Sequence, residues 1–183
     1  MSSTSAPFGL RPAYSPSGTL RPVAGSIATG YATAIYQFQP VKIHTDGYLN
    51  AAAVGDRFIG TFMGVEWTDT DGRRRYSNRW TASTAGTDII AYYTRDPSIV
   101  YEIQSNAAVA IGDVGKQCDW TALSGNATTG LCTMMIDISS SAANASLSIQ
   151  GITPGPDNAY GDTYVITQVR ISEHQFVADV AAF

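Results

Sequence analysis

Charge is scarce in this chain. Charged side chains make up 14% of its 183 residues, against about 25% in an ordinary soluble domain. So thinly charged a surface suits either coverage by other protein or a neutral, Ser/Thr-rich exterior. Lysine is almost missing: Lys42 and Lys116 are the two present, and nine arginines supply the remaining cations. Arginine's planar guanidinium holds fixed hydrogen-bonded contacts better than an ammonium does, which suits interfaces. The net charge of −4 argues against broad attraction to nucleic acid, so no nucleic-acid partner is expected. Two cysteines, Cys118 and Cys132, are too few for a disulfide scaffold. No run of 18 apolar residues occurs, so no transmembrane helix and no membrane partner are expected. The opening residues lack the basic-then-apolar pattern of a secretory signal.

Catalytic patterns are equally sparse. His44 and His174 are the two histidines, with no His-x-x-x-His or Cys-x-x-Cys spacing to suggest a metal. Pairing of Cys118 or Cys132 with His174 as nucleophile and base has no flanking motif behind it. The glycines form neither a phosphate loop nor a dinucleotide fingerprint. Glu66 and Asp69 could be imagined as a glycosidase pair, but arginines crowd them. The sequence therefore predicts no enzyme, no catalytic residue, no metal and no cofactor.

What is present divides the chain at about residue 34. Residues 1–34 carry Pro7, Pro12, Pro16 and Pro22 among many small polar residues, a density that blocks helix and central strand. Phe8, Leu10, Tyr14, Leu20, Val23 and Ile27 are spread through it. These features predict an extended N-terminal arm docked on a neighbouring surface, with Phe8, Leu10, Arg11, Tyr14 and Leu20 as contacts. The rival expectation is a terminus packed on its own core.

Residues 35–183 read as a β-rich body. Strand patterns fall at Tyr36–Phe38, Val41–His44, Phe58–Trp67, Arg73–Trp80, Ile89–Thr94, Ile99–Gln104, Leu131–Ile138, Leu147–Ile152 and Tyr164–Ile171. Asp46-Gly47 and Asp71-Gly72 read as hairpin turns. Gly60 and Gly64 mark bends or close approaches inside a strand. Ala107–Val114 is a short helix, capped by Ser105 or Asn106, or an irregular loop. Many short strands and no βαβ rhythm predict an all-β antiparallel sandwich or barrel with at most one or two short helices.

One cluster stands out. Glu66, Asp69 and Asp71 face Arg73, Arg74, Arg75 and Arg79 across the second hairpin turn, beside Tyr76 and Trp80. Arginines beside aromatics suit nucleic acid, but the acids cancel much of the charge. Cross-strand ion pairing is the simpler expectation, and Arg73, Arg74, Arg75, Arg79 and Trp80 are candidates for a protein interface.

Longer motifs carry a resemblance. Ala6-Pro7-Phe8-Gly9-Leu10-Arg11-Pro12 resembles the opening of a group of small head proteins of tailed bacteriophages. Phe58 through Asp69, Gly72-Arg73-Arg74 and Ser77-Asn78-Arg79-Trp80 are similar to that group. So are Asp157 through Asp162 and Glu173-His174-Gln175. The resemblance implies a capsid decoration, or cement, protein on the outer surface of the virion. Its implied partners are the phage major capsid protein and further copies of itself, commonly as a homotrimer and sometimes as a dimer. It carries over no catalytic residues. The alternative function is a tail-associated or receptor-binding β-protein that recognises surface glycans. Such a protein should keep several aromatics exposed on one face beside acidic or amide side chains.

Overall fold

The computed structural model describes residues 4–178. The outer ends of the two expected segments, residues 1–3 and 179–183, lie outside that range. The fold is an all-β sandwich of two antiparallel sheets. Eleven strands carry it: β1 (Arg11–Tyr14), β2 (Val23–Gly25), β3 (Pro40–Ile43), β4 (Leu49–Ala51), β5 (Gly60–Thr68), β6 (Arg74–Ser77), β7 (Thr87–Tyr93), β8 (Val100–Gln104), β9 (Gln117–Cys118), β10 (Leu147–Ile152) and β11 (Ile166–Ile171). One sheet has the order β1-β8-β11-β10-β9. The other runs β2-β7-β5-β3-β4, with β6 paired to the far end of β5.

Each sheet owns a cluster of buried side chains. Leu10, Tyr101, Ile103, Trp120, Leu147, Ile149 and Val169 belong to the first. Ile27, Ile35, Val41, Ile59, Phe62, Val65 and Trp80 belong to the second. Phe58 and Ile59 are consecutive, yet one enters each cluster, because successive side chains in extended chain point opposite ways. Phe58 meets Trp120 edge-on at 5.1 Å. A buried hydroxyl chain also spans the junction: Thr94 Oγ1 lies 2.9 Å from the Tyr101 hydroxyl and 3.2 Å from Thr61 Oγ1, and accepts from the Thr61 N–H.

Bulges adjust the sheet faces. Between Phe62 and Gly64 the β5 register advances two residues against one on β7. The extra residue, Met63, lets Phe62 and Val65 both reach the core although they are three apart. A compensating bulge on β7 contains Asp88, with φ 49.

Four expectations need correction. The N-terminal segment is extended, but it packs on its own body. β1 pairs with β8, and β2 pairs with β7, so the segment edges both sheets. Leu10 is fully buried and Ile27 nearly so. Of the apolar residues that read as docking anchors, Leu10 belongs to one core and Ile27 to the other, whereas Tyr14 and Leu20 stay exposed. Leu131–Ile138 alternates as expected, with Cys132, Met134 and Ile136 buried, but it makes isolated bridges rather than a strand. Tyr36–Phe38 likewise makes only bridges, and Phe38 sits at φ 65. The 107–114 segment, expected as a short helix or an irregular loop, is irregular apart from a single 3-10 turn, Ile111–Asp113. Neither Ser105 nor Asn106 caps it; Asn106 bonds Asp137 and the Ile138 N–H instead. No helix among the described residues is long and apolar enough to cross a membrane.

Candidate interaction surface

The β5–β6 hairpin and the neighbouring β7 carry the chemistry that the sequence had grouped. β5 and β6 close through Asp69, whose backbone N–H donates to the Arg73 carbonyl, 2.9 Å. Asp69 Oδ1 accepts the Asp71 and Arg73 N–H groups, and Oδ2 accepts Arg75 Nε at 2.7 Å. The Arg73 amide and the Arg75 guanidinium hold its carboxyl below the usual carboxylate range. Glu66 sits opposite Tyr76 on β6 and Ile90 on β7. Its Oε1 accepts the Tyr92 hydroxyl at 2.8 Å and pairs with Arg74 at 3.2 Å. These two partners, the hydroxyl first, keep Glu66 ionised below its ordinary value. The predicted cross-strand pairing thus exists for Arg74 with Glu66 and Arg75 with Asp69.

The expected site residues scatter. Arg73 and Arg75 are exposed, and Arg74 and Arg79 are half-buried on the same hairpin. Trp80 is not available as a contact: it is fully buried, stacked edge-on to Trp67 at 5.9 Å, with Nε1 donating to the Tyr31 carbonyl. Leu10 is excluded for the same reason. Phe8 is half-buried under the Arg11 guanidinium, 4.5 Å from its ring centre, and Arg11 pairs with Glu102 at 2.6 Å. Tyr14 and Leu20 remain exposed. Arg11 and Tyr14 stand on β1 in the other sheet, so the structure does not gather the two groups into one site.

Sequence reading missed the feature between the hairpin strands. A groove of about 610 Å³ is lined by Pro22, Met63, Gly64, Glu66, Tyr76 and Tyr92, among others. Tyr76 is 74% exposed and Tyr92 38%. Alternation would have set Tyr92 outward against buried Tyr93. No local signal could place Tyr92 across from Gly64, because that depends on strand register.

The remaining candidates are structural. Cys118 and Cys132 are unpaired and buried, and burial pushes each thiol up to about 11. Neither carries a useful thiolate fraction near neutrality. Among the described residues no group of three or more His, Cys, Asp and Glu side chains could hold a metal.

His174 is buried, and its Nδ1 accepts the Phe176 N–H at 3.2 Å. Nε2 lies 3.2 Å from the Arg95 carbonyl, so the neutral ring donates there. Desolvation lowers its pKa against the weaker opposing pull of the Arg95 and Ile59 backbone and of Asp96. The unfolded chain therefore takes up the proton first as pH falls. Stability should be complete above about 6.5, the ordinary histidine value, and should fall between there and the lower folded value. Urea unfolding from pH 7.5 to 5 should show this slope, and His174→Gln should lose it. An equal slope in the variant would assign the effect elsewhere.

No protein-family model, no curated protein and no solved structure matches this chain.

Proposed function

We propose that the chain is a non-enzymatic structural protein of a tailed bacteriophage, bound as a homo-oligomer, a trimer by preference, to the outer surface of the capsid. The motif resemblance supplies the phage context. The observation that carries the reading structurally is the arginine hairpin. Asp69 holds both its turn and Arg75. The hairpin exposes Arg73 and Arg75 on a chain poor in charge. Arginine is enriched where proteins meet. Salt bridges inside the hairpin contribute little stability when exposed, but they fix where the guanidinium groups point.

Purified heads lacking the protein provide the test. Wild-type protein should restore decoration in many copies per particle, measured by gel densitometry; a tail protein would appear in few. The double variant Arg73→Glu, Arg75→Glu should melt within a few degrees of wild type and bind heads about tenfold or more weakly. Normal decoration by that variant would remove the hairpin from the interface. Loss of DNA binding instead would name a different partner.

A further inference from the structure

We propose that the groove between Tyr76 and Tyr92 binds the face of a neutral hexopyranose ring in a polysaccharide. The proposal does not rest on the capsid reading and holds whichever particle surface carries the protein.

The β5 bulge shapes the groove by setting Gly64, rather than Met63, opposite Tyr92. Gly64 contributes no side chain, so the sheet surface opposite Tyr92 is left low. Two positions along, on the same face, Glu66 lies opposite Tyr76. Two tyrosines thus flank a shallow floor with a carboxylate set in it. The volume falls in the range of ordinary small-ligand sites.

These groups select a polyhydroxyl ring. A pyranose presents C–H groups on its faces, which pack on aromatic rings, and hydroxyl donors around its edge. Tyr76, with 74% of its surface open, is the platform. Glu66 is the acceptor: Tyr92 and Arg74 both contact its Oε1, which leaves Oε2 for a ligand hydroxyl. Tyr92 is held by its bond to Glu66, so little ordering is required when a ring arrives.

Proline-rich peptide is the other occupant that aromatic grooves take. Charge argues against it here. Such a peptide offers mainly carbonyl acceptors and few N–H donors, so it has little to give to Glu66 Oε2. Sugar hydroxyls donate and satisfy it.

The intact protein should be titrated with cellohexaose, maltohexaose, chitohexaose, mannohexaose and β-1,4-galactohexaose, and separately with decaproline. Tyrosine fluorescence and nuclear magnetic resonance shifts give the readout. At least one oligosaccharide should bind saturably below about 10 mM, with shifts centred on Met63, Gly64 and Tyr92. Tyr76→Ala should weaken it about tenfold or more, and Tyr76→Phe should retain it, since the ring and not its hydroxyl makes the platform. Tyr76 is exposed, so both variants should fold. Absence of saturable binding to all five sugars overturns the proposal. So does binding unchanged in Tyr76→Ala, or decaproline binding in the groove in place of sugar.

Discussion

Deleting residues 1–30 is expected to abolish folding of the whole protein. The deletion strips β1 from β8 and β2 from β7, so each sheet acquires a bare edge. It removes Leu10 from one core and Ile27 from the other. Truncating a single buried Leu or Ile to Ala costs roughly 2–5 kcal/mol. Losing two such side chains whole therefore approaches the 5–15 kcal/mol that typically separates folded from unfolded states. Polar ties go with them: the Leu10 N–H to the Phe38 carbonyl, Gln104 to Thr4 and Ala6, and Ser15 to Asp96. The truncated chain should show no cooperative melting transition and should aggregate through its exposed edges. A soluble truncated body melting within a few degrees of the full chain would restore the separate arm.

Most strands of the body were legible because their cause is local. Leu147–Ile152 alternates between turn signals and is β10 with the same ends. The Asp46-Gly47 turn joins β3 to β4, with Gly47 at φ 84. Asp69 rather than Asp71 turned out to organise the second hairpin, because its carboxylate reaches three N–H or guanidinium donors at once. What was illegible depends on pairing across the chain. Proline density excluded a helix from residues 4–34, and none forms there, yet it could not say which surface would take the apolar side chains. Leu10 and a surface anchor look alike in sequence. Trp80 likewise follows Arg79 in sequence, yet it is fully buried against Trp67. The groove needed the β5 bulge and the register of three strands; Gly64 hinted at irregularity, not at a site.

The second large effect concerns Gly60. A Cβ added there would lie 1.9 Å from the Thr94 carbonyl oxygen and 2.6 Å from Thr94 Oγ1. The backbone cannot retreat cheaply. Gly60 is paired with Val41 on one side, and the adjacent Thr61 and Thr94 bond each other on the other. Relief would require β5 to separate from the end of β7, breaking the hydroxyl chain to Tyr101 at the junction of the sheets. Gly60→Ala should therefore destabilise by about 3–5 kcal/mol. For a chain of this size that corresponds to roughly 6–20 °C in Tm. Gly112→Ala is the control, since nothing lies within 4 Å of its added Cβ; its effect should stay within about 0.5 kcal/mol. Comparable melting of the two variants, measured by circular dichroism, would refute the close approach.

The placement of β1 and β2 also governs when the molecule can form. Arg11 meets Glu102, 91 positions downstream, and Val23 pairs with Tyr93. During synthesis the first strands leave the ribosome well before their partners exist. Pairs so distant in sequence close slowly, because loop entropy is lost before contacts compensate for it. Until then the early segment is an unpaired, partly apolar strand open to other nascent chains. The four prolines among its first 22 residues supply no N–H for ladder bonds and interrupt such pairing. The same residues that shape the edge in the finished sandwich thus act as gatekeepers while it is being made.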